Sequence, residues 1–371
     1  MFSYQINEVV SLGKNYKLYI NKKLGNGAFG DVYKGKNISS GQKVAIKCEQ
    51  VRNDHSSLLK SEINILDYLQ GGKGIPKIYD FIQTPKYNFM IFELLGPNID
   101  ELYQFCNKKF SKNTILSLSL QMLDLIEFMH SRHIIHRDIK PENFLIGTGK
   151  KNSVVYICDF GLAKRFRDKK TGMHIPYKEE KKFTGTACFA SIYTHLGSEQ
   201  SRRDDLESLA YILIYLSKGT LPWKGLKAKN KDEKFSKILK KKINTNNEVL
   251  CEGLPQEFSI FLQNVRDLQF EQRPDYSYLR ELLYKMNTDG ILLNQVKYEF
   301  INIFEKRIIN KSENKPLLLE NKESKKLYKI LICQKKALNQ ILIMIPIIKA
   351  VPMEMIKKNN KQNYLKISLK L

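Results

Sequence analysis

The octapeptide His136-Arg137-Asp138-Ile139-Lys140-Pro141-Glu142-Asn143 holds residue types that phosphoryl transfer requires, at a spacing that lets them act together. Asp138 can accept the proton of an attacking hydroxyl, Lys140 can balance charge on a transferred phosphoryl group, and Asn143 offers an oxygen to a magnesium ion. Sixteen residues on, Asp159-Phe160-Gly161 closes the short apolar run Val154–Cys158. Asp159 is the second expected metal ligand, bridging to the β- and γ-phosphates. Magnesium keeps part of its water shell, so one Asn and one Asp suffice. Upstream, Gly25, Gly27 and Gly30, followed by Val32, make a GxGxxG spacing between two strand-like segments. That context argues against a dinucleotide fingerprint, which opens a helix, and predicts a hairpin whose N–H groups cover phosphates. Val44-Ala45-Ile46-Lys47 follows, with Lys47 placed on a strand to reach the same phosphates. Such a lysine needs a carboxylate to hold it, and Glu62 on the next predicted helix is the candidate.

The elements that must position these groups are legible as patterns. Residues 17–52 read as short strands around glycine turns, and Val44 and Ile46 alternate with Ala45 and Lys47 as in a half-buried strand. Leu58, Leu59, Ile63, Leu66 and Leu69 predict a helix over 57–69, with Glu62 beside its core-facing leucines. A strand is expected over 87–95, and Gly96-Pro97 is a turn and a lobe boundary. From Ser111 onward the periodicity is mainly helical, with Ile115, Leu118, Met122, Leu125, Ile126 and Met129 on one face. Two short strands, Phe144–Ile146 and Val154–Cys158, bracket a turn at Gly147-Thr148-Gly149-Lys150. Helical periodicity returns over 203–218 and 256–269. His130, His133 and His136 read as a helix end running into the catalytic loop, not as metal ligands.

Composition excludes several classes. With 42% hydrophobic and 11% aromatic residues, the 371-residue chain can bury a sizeable core, and 20 glycines without period rule out a collagen-like chain. The longest apolar run, Ile341 to Ile348, is broken by Pro346 and is too short to span a bilayer. The first residues, MFSYQINEVVSLGKN, lack a basic stretch followed by an apolar one, so no signal peptide is expected. None of the six cysteines forms a CxxC pair, which points to a reducing, intracellular setting, cytoplasmic or nuclear. The net charge is +24, and residues 291–371 hold 17 Lys/Arg against 6 Asp/Glu. Residues 289–371 are therefore treated as an appended basic tail. The simplest reading of the lysines is a solvated surface. Contact of the tail with nucleic acid or an anionic membrane is the alternative, although no aromatic-interleaved basic motif supports the former.

Together, and in this order, the four motifs resemble those of the protein kinases. The stretch GTACFASIYTHLGSEQSRRDDLESLAYILIYLSKGTLPWKGLKA (185–228) is similar to the casein kinase I family, as are ELLGPNIDELYQFC (93–106), HIPY (174–177) and RPDYSYLREL (273–282). Ser191-Ile192-Tyr193 stands where most kinases have Ala-Pro-Glu and resembles that family's Ser-Ile-Asn. The resemblance covers about residues 15–288. It implies a bilobal α+β protein kinase fold over 17–288, with a β-rich N-lobe (17–95) and a mainly helical C-lobe (96–288). It implies a monomeric serine/threonine kinase using ATP with Mg2+, active without phosphorylation of its activation segment, and favouring substrates with upstream acidic or phosphorylated residues. In such an enzyme Asp138, Lys140, Lys47 and Glu62 are catalytic, and Asn143 and Asp159 hold the metal. ATP lies against Gly25, Gly27, Gly30, Val32, Ala45 and Lys47. Glu93 and Leu95 form the adenine-binding hinge, with Phe92 as gatekeeper where the family usually has Met. Arg137, Lys164, Lys181 and Lys234 are the family's substrate anion-binding positions. Cys188 replaces a family arginine that helps bind a priming phosphate, Phe189 replaces a Tyr, and Ala210 replaces a Gly. A non-catalytic scaffold is the competing reading, and the intact Lys47, Asp138, Asn143 and Asp159 speak against it.

Overall fold

The strand-forming runs of the first third of the chain pair into one antiparallel sheet, in the order β1-β2-β3-β4-β6-β5. Its strands are β1 (Val9–Leu12), β2 (Tyr16–Gly27), β3 (Gly30–Asn37), β4 (Lys43–Gln50), β5 (Ile78–Gln83) and β6 (Tyr87–Glu93), and helix α1 (Leu58–Tyr68) packs beside them. β2 and β3 form the expected hairpin, with Gly27 opposite Gly30 and Gly25 opposite Val32. In this computed structural model the described residues are 9–27, 30–51, 57–287 and scattered positions from 290 to 303. They belong to the first of two compact units, Met1–Arg307. Expectations for the chain beyond residue 303 fall outside the described residues.

The two faces of β4 have different chemistry. Val44, Ile46 and Cys48 join Leu18, Tyr33, Phe89 and Ile91 in an apolar core. Ala45, Lys47 and Glu49 point the other way and are buried as well. The half-buried strand expected here is thus a central strand covered on both faces. The alternation marked two kinds of interior, one apolar and one ionic, because the polar side chains find partners on α1 and across the cleft.

The second lobe is helical. After the Gly96-Pro97 turn come α2 (Ile99–Phe105), α3 (Lys112–Ser131), β7 (Ile134–Ile135), β8 (Phe144–Ile146), β9 (Val155–Ile157) and β10 (Lys164–Arg165). They are followed by α4 (Ile192–His195), α5 (Arg202–Lys218), α6 (Lys231–Ile243), α7 (Asn247–Leu250), α8 (Gln256–Arg266) and α9 (Tyr276–Lys285). β8 pairs with β9, and β10 pairs with β7. α5 is buried from Arg202 to Leu216, the mark of a helix through the centre of a lobe. Its N-terminal half is nevertheless polar, with Arg202, Arg203, Asp204, Asp205 and Glu207 buried. These side chains organise the site above them. Past α9, the Tyr298 hydroxyl accepts a hydrogen bond from Gln121 Nε2 (2.7 Å) and lies 3.2 Å from Ser117 Oγ, and Phe300 lies against Phe110. Among the described residues, no helix is long and apolar enough to cross a membrane.

Candidate active site

β7 ends at Ile135 and β8 begins at Phe144, so the predicted catalytic octapeptide is the loop between two strands, closed by a 3-10 turn at Pro141–Asn143. A loop so close to the interior needs partners for its amides. Asp205 of α5 supplies them. Its Oδ2 accepts the His136 N–H (2.8 Å), and its Oδ1 accepts the Arg137 N–H (2.9 Å). His130 Nε2 lies 3.0 Å from Asp205 Oδ2, and its other ring nitrogen meets the Tyr276 hydroxyl. Burial works against the Asp205 carboxylate, and these donors outweigh it, holding it below the ordinary carboxylate range. Arg137 can then adopt φ +67°, a left-handed conformation that a side chain enters only under constraint.

Asp138 is buried beneath three donors. Lys140 Nζ lies 2.6 Å from Oδ2, Asn143 Nδ2 3.3 Å from the same oxygen, and Thr186 Oγ1 donates to Oδ1 at 2.7 Å. Thr186 also accepts from Lys140 (3.1 Å), closing a ring of three side chains. Thr186 reaches in because Gly185 passes directly over the loop. At φ +106° a Cβ there would stand 2.6 Å from the Arg137 carbonyl oxygen, so only glycine fits. Sequence reasoning gave neither Thr186 nor Asp205 a role in the site.

Lys47 joins the two lobes. Its Nζ donates to Glu62 Oε2 at 2.7 Å and to Asp159 Oδ1 at 2.9 Å. Burial opposes the ammonium charge, but Glu62 and Asp159 together raise its pKa above the usual lysine range. Asp159 is held well ionised, since Lys47 more than offsets the cost of its burial. Asp159 has φ +65°, and the Phe160 ring behind it packs on His136 at 5.3 Å. Gly30 is fixed by close approach as well, because a Cβ there would meet the Cys48 carbonyl oxygen at 2.1 Å. Val32 of β3 lies opposite Lys47, and Ala45, on the lysine-bearing strand itself, lies opposite Phe92 of β6. Glu93 ends β6, and its carboxylate is tied to Lys151 Nζ (2.9 Å) and the Lys77 N–H. Leu95, the other residue expected in the hinge, is buried one step before Gly96 donates to the Ile146 carbonyl.

The donor chemistry fits a hard divalent cation. Asn143 donates through Nδ2 to the Asp138 carbonyl oxygen (2.9 Å), which leaves its Oδ1 as an acceptor. With the ionised Asp159, this is an oxygen pair of the kind magnesium takes while keeping several waters. Among the described residues there is no cluster of three or more His, Cys, Asp or Glu able to hold a metal.

The four anion-binding candidates separate into two places. Lys164 Nζ (3.1 Å) and Lys181 Nζ (3.5 Å) converge on the buried Glu199 Oε2, whose charge also acts on Arg137. Sequence reasoning missed Glu199, which neutralises part of this cluster. Lys234 is exposed on α6 and instead contributes to the field around Cys188, with Lys242 and Lys224. Burial pushes the Cys188 thiol pKa up. The backbone around it is pinned. Trp223 Nε1 donates to the Cys188 carbonyl (2.7 Å), and the wholly buried Lys242 donates to the Ala187 (3.1 Å) and Ala190 carbonyls.

A curled sheet above a helical lobe, with a carboxylate–lysine–carboxylate chain joining them over a buried aspartate, is the architecture of a protein kinase. The family model for the protein kinase domain matches residues 18–284, and the chain belongs to that family. Such enzymes transfer phosphoryl groups from ATP, typically with a divalent metal.

Proposed function

We propose that the protein is a serine/threonine kinase of the casein kinase I type that phosphorylates acidic protein substrates as a monomer. The observation that carries this reading is the placement of Asp138, ringed by Lys140 and Thr186, beside the Glu62–Lys47–Asp159 chain. In that arrangement Lys47 holds the ATP phosphates, and Glu62 holds Lys47. Asp138 accepts the proton of the substrate hydroxyl, and Lys140 moves its charge toward the transferred phosphoryl group. Asn143 and Asp159 would hold magnesium, which would supply neutralisation of charge on the phosphates. The 185–228 stretch supports the finer assignment. The basic side chains of Arg137, Lys164 and Lys181, only partly balanced by Glu199, support a preference for acidic residues in the substrate.

Incubation of the full chain with dephosphorylated casein and labelled ATP, followed by phosphoamino acid analysis, tests the reading. Phosphoserine and phosphothreonine are expected, with labelling of casein reduced by about 10²–10⁴-fold for Asp138→Asn. Label on tyrosine, or none with wild type, would overturn it.

A further inference from the structure

Helix α1 carries Glu62, yet it has no acidic residue in its first turn to complement its N-terminus. A carboxylate from another element fills that role. Glu49 of β4 accepts the Leu58 N–H (2.8 Å) and the Leu59 N–H (3.1 Å) through Oε1, and the Ser57 hydroxyl (2.5 Å) through Oε2. Asn88 of β6, directly opposite Glu49 in the sheet, donates to Glu49 Oε2 and to Ser57 Oγ, both at 3.2 Å. Ser57 in turn caps the Lys60 N–H. Glu49 is 5% exposed. Burial alone would favour its protonated form, but the four donors more than compensate and keep it ionised below the ordinary range.

Glu49 stands two residues after Lys47 on the same face of β4. Two strand residues span about 6.6 Å. From the Leu58 and Leu59 amides to Glu62 the helix rises about 5 Å. The spacings match, so strand and helix are joined at two points, Glu49 to the helix N-terminus and Lys47 to Glu62. A single contact would leave α1 free to pivot about Lys47, whereas two fix its position and rotation.

We propose that Glu49 is a positioning residue for phosphoryl transfer: by capping α1 from β4 it holds Glu62 on Lys47. The proposal rests on the roles given above to Lys47 and Glu62. It predicts that Glu49 acts only through that pair, which a purely structural cap would not do.

The test is a double-variant cycle on the full chain, measuring kcat and KM for ATP and for casein. E49Q keeps the side-chain shape but loses the charge and one acceptor. Its kcat/KM for ATP should fall about 5- to 30-fold, with KM for casein unchanged. E62Q should fall further, and E49Q/E62Q should match E62Q within about twofold, because the positioned group is already gone. S57A, a milder change to the same cap, should give a smaller fall with the same non-additivity. It carries the cycle if E49Q does not fold. If the two losses multiply, or if E49Q and S57A both remain within about twofold of wild type while E62Q is slow, Glu49 does not position the site. If E62Q itself runs at the wild-type rate, the role of the Lys47–Glu62 pair is wrong, and this proposal falls with it.

Discussion

Asp138 has neighbours that keep its shape when its charge is removed, since Thr186 and Asn143 can bond an amide as well as a carboxylate. Asp138→Asn should therefore fold normally and lose kcat by about 10²–10⁴-fold, the range of a general base. Initial rates on casein together with a thermal melt would check this, and a variant within tenfold of wild type would move the base elsewhere. Cys188 carries the second expectation at this scale. A thiol cannot replace the bidentate fork of arginine on a phosphate, so the wild type should distinguish phosphoserine-primed from aspartate-primed peptides only weakly. Cys188→Arg should sharpen that preference by roughly 10- to 100-fold through one charge-assisted bond, mainly in KM. A strong preference already present in the wild type would show that Lys234 and its neighbours suffice. Residues inside contiguous motifs, such as Asp138, Asn143, Asp159 and Lys47, were legible because their spacing is local. Glu62 followed from helix periodicity. Thr186, Asp205, Glu199 and Glu49 were not legible. Each is a common residue type whose partner lies far along the chain or on another element, 48 residues away for Thr186 and Asp138.

At the scale of elements, the segment between Asp159 and Ser191 is held by contacts already in place. β10 pairs with β7, Phe166 is buried, Lys164 and Lys181 meet Glu199, and Thr186 meets Asp138. Phosphatase-treated enzyme should keep its casein activity within about twofold, and a large loss would reveal a phosphate-dependent step. The same region carries a pH dependence. His195 donates to the Ala187 carbonyl (3.1 Å), and burial, with Lys242 nearby, pushes its pKa from 6.5 down to about 4. The unfolded chain takes up this proton near 6.5, and the folded one only near 4. The stability His195 confers is whole above 6.5 and falls away as pH drops through that window. Urea midpoints from pH 7 to 4.5 should fall less steeply for His195→Asn than for wild type. The strands within 17–52 and 87–95 and the helices over 57–69, 203–218 and 256–269 were foreseen from glycine turns and apolar stripes. α6 was not, because KDEKFSKILKKKI has few apolar positions. Its Asn230 cap, acidic first turn and lysine-rich last turn suit the helix dipole instead. β5 was not foreseen although Gly74, Pro76 and Pro85 flank it, and β1 lay before the recognised motifs.

For the molecule as a whole, the start of the basic tail at residue 289 does not mark where packing stops, since Tyr298 still bonds Gln121 of α3 and Phe300 lies against Phe110 just before that helix. Truncation after Arg307 should leave casein activity and melting temperature nearly unchanged. Truncation after Gly290 strips two buried aromatic residues and should lower the melting temperature by on the order of 5–10 °C. Equal melting temperatures for the two truncations would show that these contacts do not stabilise the lobe. The break between β6 and α2 at Gly96-Pro97 was legible from turn chemistry. The packing of Tyr298 was not, because the apolar residues there come without helical or strand period.

The joining of Lys47 to Asp159 has a consequence for how the molecule comes into being. The two residues lie 112 positions apart, and the Asp205 clamp on His136 closes another 69. The first cannot form until both lobes have ordered their own chains, and the second until the helical lobe has ordered its own, because closing such loops costs entropy before any bond repays it. On dilution from urea, helical signal should therefore recover first and the ability to phosphorylate casein last. A chain arrested partway would have the outline of a kinase and no catalytic power, so secondary structure is a poor measure of how much active enzyme a preparation holds.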